Sequence, residues 1–297
     1  MKRALYIWLL AGLTLAVCPM SAAQNYLGAC LGGNFVQTLD KLDRTHAKLS
    51  VGGELGLVYE WQHEYVLFRT GIGYSLQCPS LAVDAQRLEQ YMMDTRGMAF
   101  LYRGLLDHRT DRLTLHQLTV PLMVGGEWHG VYALAGIKMS LSLVASARSN
   151  AELATLGDYL GRYYADLEHM PNHGYHDFEP VENRSSVALS RLDIRFAAEA
   201  GYTLRLKPYN GLRPSPLLRL GIFAEYGLLN MLRTDNDHPC AEPDWSAYLH
   251  VKMTPIYGAQ ESNNSRAHLL LYGLRVAILF PVSSSRGNHS CRCTGMW

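Results

Sequence analysis

The sequence predicts an all-β protein: an eight-stranded antiparallel transmembrane β-barrel with short turns at one end and long loops at the other. Three observations predict it. Apolar residues alternate with period two in eight segments, the pattern of a strand with one apolar face. The connections between these segments alternate long and short without exception, at 13, 3, 36, 2, 43, 9 and 38 residues. The faces opposite the apolar ones carry both signs of charge in near balance.

Composition narrows the class first. The chain has 297 residues, 48% hydrophobic and 18% charged, with a formal net charge of +1. That excludes a disordered chain and a polybasic nucleic-acid binder. No run of 18 apolar residues follows the first twenty positions, so a helical membrane protein is excluded as well.

Met1-Lys2-Arg3, the apolar stretch from Ala4 to Cys18, and Ser21-Ala22-Ala23 before Gln24 have the layout of a secretory signal peptide. The expected organisation is a signal peptide at 1–23, a barrel at 24–282 and a periplasmic tail at 283–297. Val17 stands where a lipoprotein signal has a small residue, which argues against lipidation at Cys18. Cys30, Cys78, Cys240, Cys291 and Cys293 then remain, an odd number and no disulfide framework. Cys291-Arg292-Cys293 lacks the gap of a redox or zinc pair. Cys78 and Cys240 fall in long connections, and theirs is the one disulfide that the layout would allow.

The strands follow in order. The first, 26–35, is the weakest, being rich in glycine and alanine. At 49–61, Leu49, Val51, Leu55, Leu57 and Tyr59 oppose Ser50, Gly52, Glu54, Gly56 and Glu60. At 65–76, Val66, Phe68, Ile72 and Tyr74 oppose Arg69, Gly71, Gly73 and Ser75. Segments 113–128 and 131–145 come next, with Pro121 expected to form a bulge because it removes a ladder hydrogen bond. At 189–206, Leu192, Ile194, Phe196, Ala198 and Tyr202 oppose Arg191, Asp193, Arg195, Glu199 and Arg205. At 216–229 Leu218, Leu220, Ile222 and Tyr226 oppose Arg219, Phe223 and Glu225. At 268–280, Tyr272, Leu274, Val276, Ile278 and Phe280 oppose Gly273 and Arg275.

A soluble sandwich has no reason to place every long loop at one end, whereas an outer-membrane barrel has short periplasmic turns and long extracellular loops. Hydrocarbon offers no partner to an unpaired backbone group, so a spanning sheet must close. The apolar faces are then lipid-facing. The inward set becomes Glu54, Glu60, Glu127, Asp193, Glu199 and Glu225 with Arg69, Lys138, Arg191, Arg195, Arg205, Arg219 and Arg275. An eight-stranded interior is just wide enough for side chains to fill, so this set reads as an ion-pair network and not an open channel. Tyr59, Trp61, Trp128 and Phe280 near the short turns, and Phe35, Tyr74, Tyr226 and Tyr272 near the long loops, fit two aromatic girdles.

Leu118-Thr119-Val120-Pro121-Leu122 followed by Tyr132-Ala133-Leu134-Ala135-Gly136 resembles the strand–turn–strand core of the PorT-like outer-membrane β-barrel proteins of the Bacteroidetes. Leu67 to Ser75 resembles the preceding strand of that family. The resemblance covers residues 25–282 apart from the long loops. It implies an eight-stranded barrel in the outer membrane of a Gram-negative bacterium and carries over no catalytic residue.

His169, His173, His176 and Asp177 have the side chains of a zinc or copper site, but Pro171, Asn172 and Gly174 interrupt any helix that would hold them on one face. No metal or cofactor is expected. Ser140, Ser142 and His116 lie on neighbouring strands, yet His116 falls on the outward face and there is no Gly-x-Ser-x-Gly elbow, so no enzyme is expected. Asn150 with Leu153, Leu156, Leu160, Tyr163 and Leu167, and the run Val83 to Met93, predict short helices in two extracellular connections. The expected protein is a monomeric barrel in outer-membrane lipid with a structural or surface-interaction role. Its loops would take a protein or small-ligand partner and no nucleic acid. The alternative is a small membrane-embedded enzyme or a narrow, secretion-associated pore.

Overall fold

Eight strands pair into a closed antiparallel ring, and two of them run far beyond it. The computed structural model describes residues 24–40, 45–93, 97–159, 176–206, 215–244 and 250–282. The expected signal peptide and tail, with Cys18, Cys291 and Cys293, lie outside the described residues. In chain order the strands are β1 (Gln24–Asp40), β2 (Thr45–Lys48), β3 (Ser50–His63), β4 (Val66–Gln77), β5 (Ser80–Val83), β6 (Gln86–Met93) and β7 (Ala99–Trp128). They continue as β8 (Val131–Asp158), β9 (His176–Ser186), β10 (Leu192–Arg205), β11 (Leu217–Gly227), β12 (Ala241–Asp244), β13 (His250–Met253) and β14 (Ala267–Pro281).

The ring runs β1–β3–β4–β7–β8–β10–β11–β14 and returns to β1. Each of these strands overlaps one predicted segment: 26–35, 113–128, 131–145 and 268–280 lie wholly inside β1, β7, β8 and β14, and the other four overrun their strands by one to three residues at an end. The short connections gather at one end, where the Glu127 amide donates to Tyr65 O, that of Thr203 to Gly130 O, and that of Val282 to Asn25 O. In the two-residue turn between β7 and β8, His129 (φ 51°) and Gly130 (φ 86°) are both left-handed, as the twist of a tight hairpin requires.

At the other end the structure departs from expectation. β7 and β8 stay paired from Trp128↔Val131 to Leu101↔Asp158. Beyond the ring they form an arm roughly 50 Å in strand length, at about 3.3 Å per residue. β9 pairs with β8 on one side of it, and β5 and β6 with β7 on the other, with β2 beyond β5. The two predicted helices are therefore corrected. Val83–Met93 is the end of β5 plus β6, and Asn150 to Asp158 is the end of β8; 160–167 lies outside the described residues. Leu88 and Met92 are half-buried at a spacing of four, which fits a helix period and twice a strand period equally. In the outer half of β8 the buried residues are Ala147, Ser149, Ala151, Leu153 and Thr155, a period of two blurred by its small and polar members. The helical structure among the described residues is two short 3-10 turns, Ile256–Gly258 and Gln260–Ser262.

Pro121 also differs. The β4–β7 ladder skips Gly71 and Ile72 opposite Pro121 and Val120, yet it resumes in the same register. The missing N–H opens a gap, not a bulge. Two register shifts fall earlier in the strand, against β8, between Asp107 and Thr110 and between His116 and Gln117.

The interior is layered from turn end to arm. Tyr26, Val58, Leu217 and Leu279, with Leu67, Met123, Tyr132, Leu134 and Ala197, fill the turn end. Charged residues occupy the middle, and a larger apolar cluster closes the mouth. Glycine makes room for the long inward side chains: a Cβ on Gly221 would stand 2.3 Å from the Tyr132 hydroxyl. Gly221→Val would displace that tyrosine and is expected to cost about 1–3 kcal/mol by overpacking. A urea titration of the folded protein measures it.

Candidate functional site

The inward face of the middle layer is a continuous ion network. Arg69 reaches Glu60 at 3.1 Å and Glu199 at 2.6 Å. Lys138 holds Glu54 at 2.5 Å and Glu225 at 2.7 Å. Arg219 bridges Glu60 at 2.7 Å and Glu127 at 2.9 Å, and its guanidinium lies 4.6 Å from the Tyr132 ring centre. Arg275 contacts Glu54, Glu199 and Glu225, and Arg195 takes Asp193 at 2.6 Å. Of the thirteen charges assigned inward, eleven are buried. Arg205, exposed at the turn end, still reaches Glu127 at 3.4 Å. Arg191 is the exception: it precedes β10, is exposed, and contributes its carbonyl to the Ser142 amide.

Such packing leaves little space. A cavity among Glu54, Arg69, Lys138, Glu225 and Arg275 measures about 40 Å³, room for a water or two.

Above the network the mouth is sealed by the connection from β11 to β14. Met231, Leu232, Ile256 and Tyr257 pack onto Val36, Leu81, Leu113, Leu115, Leu269 and Leu271. A buried ion pair bolts this connection to β7. Arg109 binds Asp111 through Nε and Nη2 at 3.0 Å each and donates to the carbonyls of Cys240 at 3.1 Å and Thr254 at 2.6 Å. Asp111 accepts the Ile256 amide at 2.7 Å. Burial opposes the Arg109 charge, but the Asp111 carboxylate more than offsets it, so the guanidinium is held above its ordinary range. Higher still, Phe100, Tyr102, Leu106, Leu153, Val251 and Met253 form the arm's own core. On its outer surface around the β6–β7 turn, Tyr91 (69% exposed), Met93 (73%), Met98 and Leu156 form an apolar group.

The other sequence candidates separate. Ser140 is buried in the lumen while His116 faces outward and meets the Tyr74 hydroxyl at 2.5 Å, so no serine–histidine pair is assembled. His169 and His173 lie outside the described residues, and of His176 and Asp177 the backbone alone is placed, in β9. Among the described residues no three metal-ligating side chains converge. No disulfide joins Cys78 to Cys240; the Cys240 sulfur instead receives Arg109 Nη1 at 3.0 Å. The sequence reading missed Arg109 and Asp111 because two charges at inward positions of an unassigned strand look like loop polarity.

The chain is thus an all-β protein whose antiparallel sheet closes on a buried, charged interior. No family model matches it, and neither does any curated protein, so the resemblance to PorT-like proteins gains no support there. Among solved structures it is similar to Ail, the attachment invasion locus protein of Yersinia pestis, at 9% identity and a TM-score of 0.29, over 86% of this chain and 99% of that one. Ail in complex with the heparin analogue sucrose octasulfate gives 10% and 0.24 over the same shares. Neisserial surface protein A gives 12% and 0.28, over 86% of this chain and 97% of that one. Likeness at this level assigns no function.

Two substitutions probe the two devices. Arg219→Met leaves Glu60 and Glu127 buried without their shared cation, and folding titrations are expected to show a loss of about 3–5 kcal/mol. Asp111→Ala strands Arg109 in the same way. Limited proteolysis is expected to cut 228–266 early while the ring strands stay protected.

Proposed function

We propose that the chain is an integral outer-membrane barrel of a Gram-negative envelope, non-conducting and non-catalytic, that holds a rigid arm outside the cell for surface interaction. One observation carries the reading: polarity is inverted around the whole ring. Each of its eight strands exposes a large apolar side chain near mid-height, namely Leu31, Leu57, Ile72, Val124, Ile137, Phe196, Ile222 and Leu274. The ionised residues face inward instead. In water such a belt would be a liability; in hydrocarbon it is the required surface.

Aromatic residues bracket the belt, as interfacial anchors do. Tyr65, Trp128, Tyr202 and Phe280 are exposed at the turn end. At the arm end Phe35 packs on Tyr272, and Tyr226 on His268. The short-turn end is assigned to the periplasm, with 1–23 as signal peptide and 283–297 as tail. The finer PorT-like assignment rests on residues 67–75 and 118–136 alone. The apolar group around Tyr91 and Met93 is the surface on which a protein or small-ligand partner would act.

Three outcomes test this. The protein should fractionate with outer membranes and run faster on gels before boiling; recovery in soluble periplasm without detergent would sink the reading. Folded protein in planar bilayers should give no steady current. Ile222, 64% exposed at mid-strand, should tolerate arginine on a solvated face but lose about 2–4 kcal/mol in lipid. Vesicle folding titrations of Ile222→Arg discriminate the two.

A further inference from the structure

Three arginines stand side by side where β7 and β8 leave the barrel wall and β9 joins them. The ladder sets Arg112 opposite Arg148 and Arg148 opposite Arg184, and all three are exposed. Directly opposed residues have Cβ atoms only about 5 Å apart, where like charges destabilise the pair. Strand stability alone does not select such a row. Lys48 extends it, because β2 and β5 place Lys48 opposite Ser80 and Ser80 opposite Arg112.

One acid answers these cations. Glu182 takes Arg148 at 2.5 Å and Arg184 at 3.0 Å. The hydrogen bond from Arg184, then that from Arg148, holds its carboxyl below the usual range, so it stays ionised. It offsets one charge of three. Among the described residues no carboxylate pairs with Arg112.

The height of the row is informative. Arg112 lies sixteen residues along β7 from Trp128 at the turn end. At about 3.4 Å per residue and a strand tilt near 40°, that is roughly 40 Å along the barrel axis. A bilayer with its headgroup regions is about 40–45 Å thick. Just below the row, β8 exposes Leu141, Leu143 and Val144. The cations therefore stand at the outer headgroup layer, directly above the apolar belt.

We propose that Arg112, Arg148 and Arg184, with Lys48, form a binding site for phosphate groups on the headgroup of an outer-leaflet lipid. The proposal rests on the outer-membrane reading above. Guanidinium forks match phosphate oxygens bidentately, and the unanswered charge at Arg112 gives an entering phosphate its first partner.

The test uses full-length protein in neutral detergent, titrated with a bis-phosphorylated acyl-disaccharide lipid and with its dephosphorylated form, and read by native mass spectrometry. The phosphorylated lipid should bind at least about tenfold more tightly, with a loss of about fivefold for each arginine replaced. Arg112→Gln/Arg148→Gln/Arg184→Gln should abolish the preference while keeping the heat-dependent gel shift that reports a folded barrel. Glu182→Gln should tighten binding. Arg112→Gln alone, which breaks no ion pair, should still weaken it about fivefold, and so serves if the triple variant does not fold. Equal affinity of the native protein for the two lipids, or an undiminished preference in the folded variants, overturns the proposal. So does full displacement by millimolar inorganic phosphate, which would make this a site for the free ion. Native protein that fails to float with vesicles would defeat the membrane reading separately, whatever its lipid preference.

Discussion

An ionised group inside the eight-stranded ring has to find its counter-charge among the other inward side chains, because burial takes it out of water. That constraint organises the molecule. Arg69 on β4 reaches Glu199 on β10, Arg219 on β11 reaches Glu60 on β3, and Lys138 on β8 reaches Glu54 on β3. None of these strands are neighbours, so each pair is a brace across the ring and not a repeat of a ladder contact. Removing one partner leaves the other buried and unpaired, which costs more than the pair itself contributes. A one-residue slip of any strand would turn its charges outward and its apolar row inward. The braces thus reinforce the register that the apolar belt requires.

The same logic recurs above the wall in a different setting. Arg109 and Asp111 are fully buried, and their spare hydrogen-bonding capacity goes to backbone groups of the connection between β11 and β14. Below, charges hold strands to strands; here they hold an irregular segment onto a strand. That segment then supplies Met231, Leu232, Ile256 and Tyr257 to the cluster closing the mouth. Sealing is done twice, once by paired charges and once by apolar packing.

What the sequence made legible follows the strength of the period-two signal. Ring strands have an apolar outward face and a charged inward face, so Leu220 and Arg219, or Leu274 and Arg275, announce their sides unambiguously. In the arm the contrast fades. Its inner face includes Gly104, Arg109, Asp111, Ser149 and Thr155 beside its leucines, and its outer face includes Leu101, Leu105 and Leu156. Spacings such as Leu88 to Met92 then satisfy a helix as readily as a strand. Pro121 was legible as a disturbance, but whether it bulged or opened the ladder depended on β4, which keeps its register across the gap at Gly71 and Ile72. The arginine row could not be read from sequence at all, since it exists only once the ladders set positions 112, 148 and 184 abreast.

The long β7–β8 pairing also bears on how the chain assembles. Its two strands are joined by a two-residue turn, so their contacts zip outward from a local nucleus at little entropic cost. Closing β1 against β14 is the opposite case: Tyr26 meets Pro281, near the two extremes of the folded chain. Hairpin first and seam last is the order that loop entropy favours. Until the seam forms, β1 and β14 each present an open edge of unpaired amides and carbonyls, and the half-built ring depends on other proteins, or on its own curvature, to keep those edges from pairing with another chain.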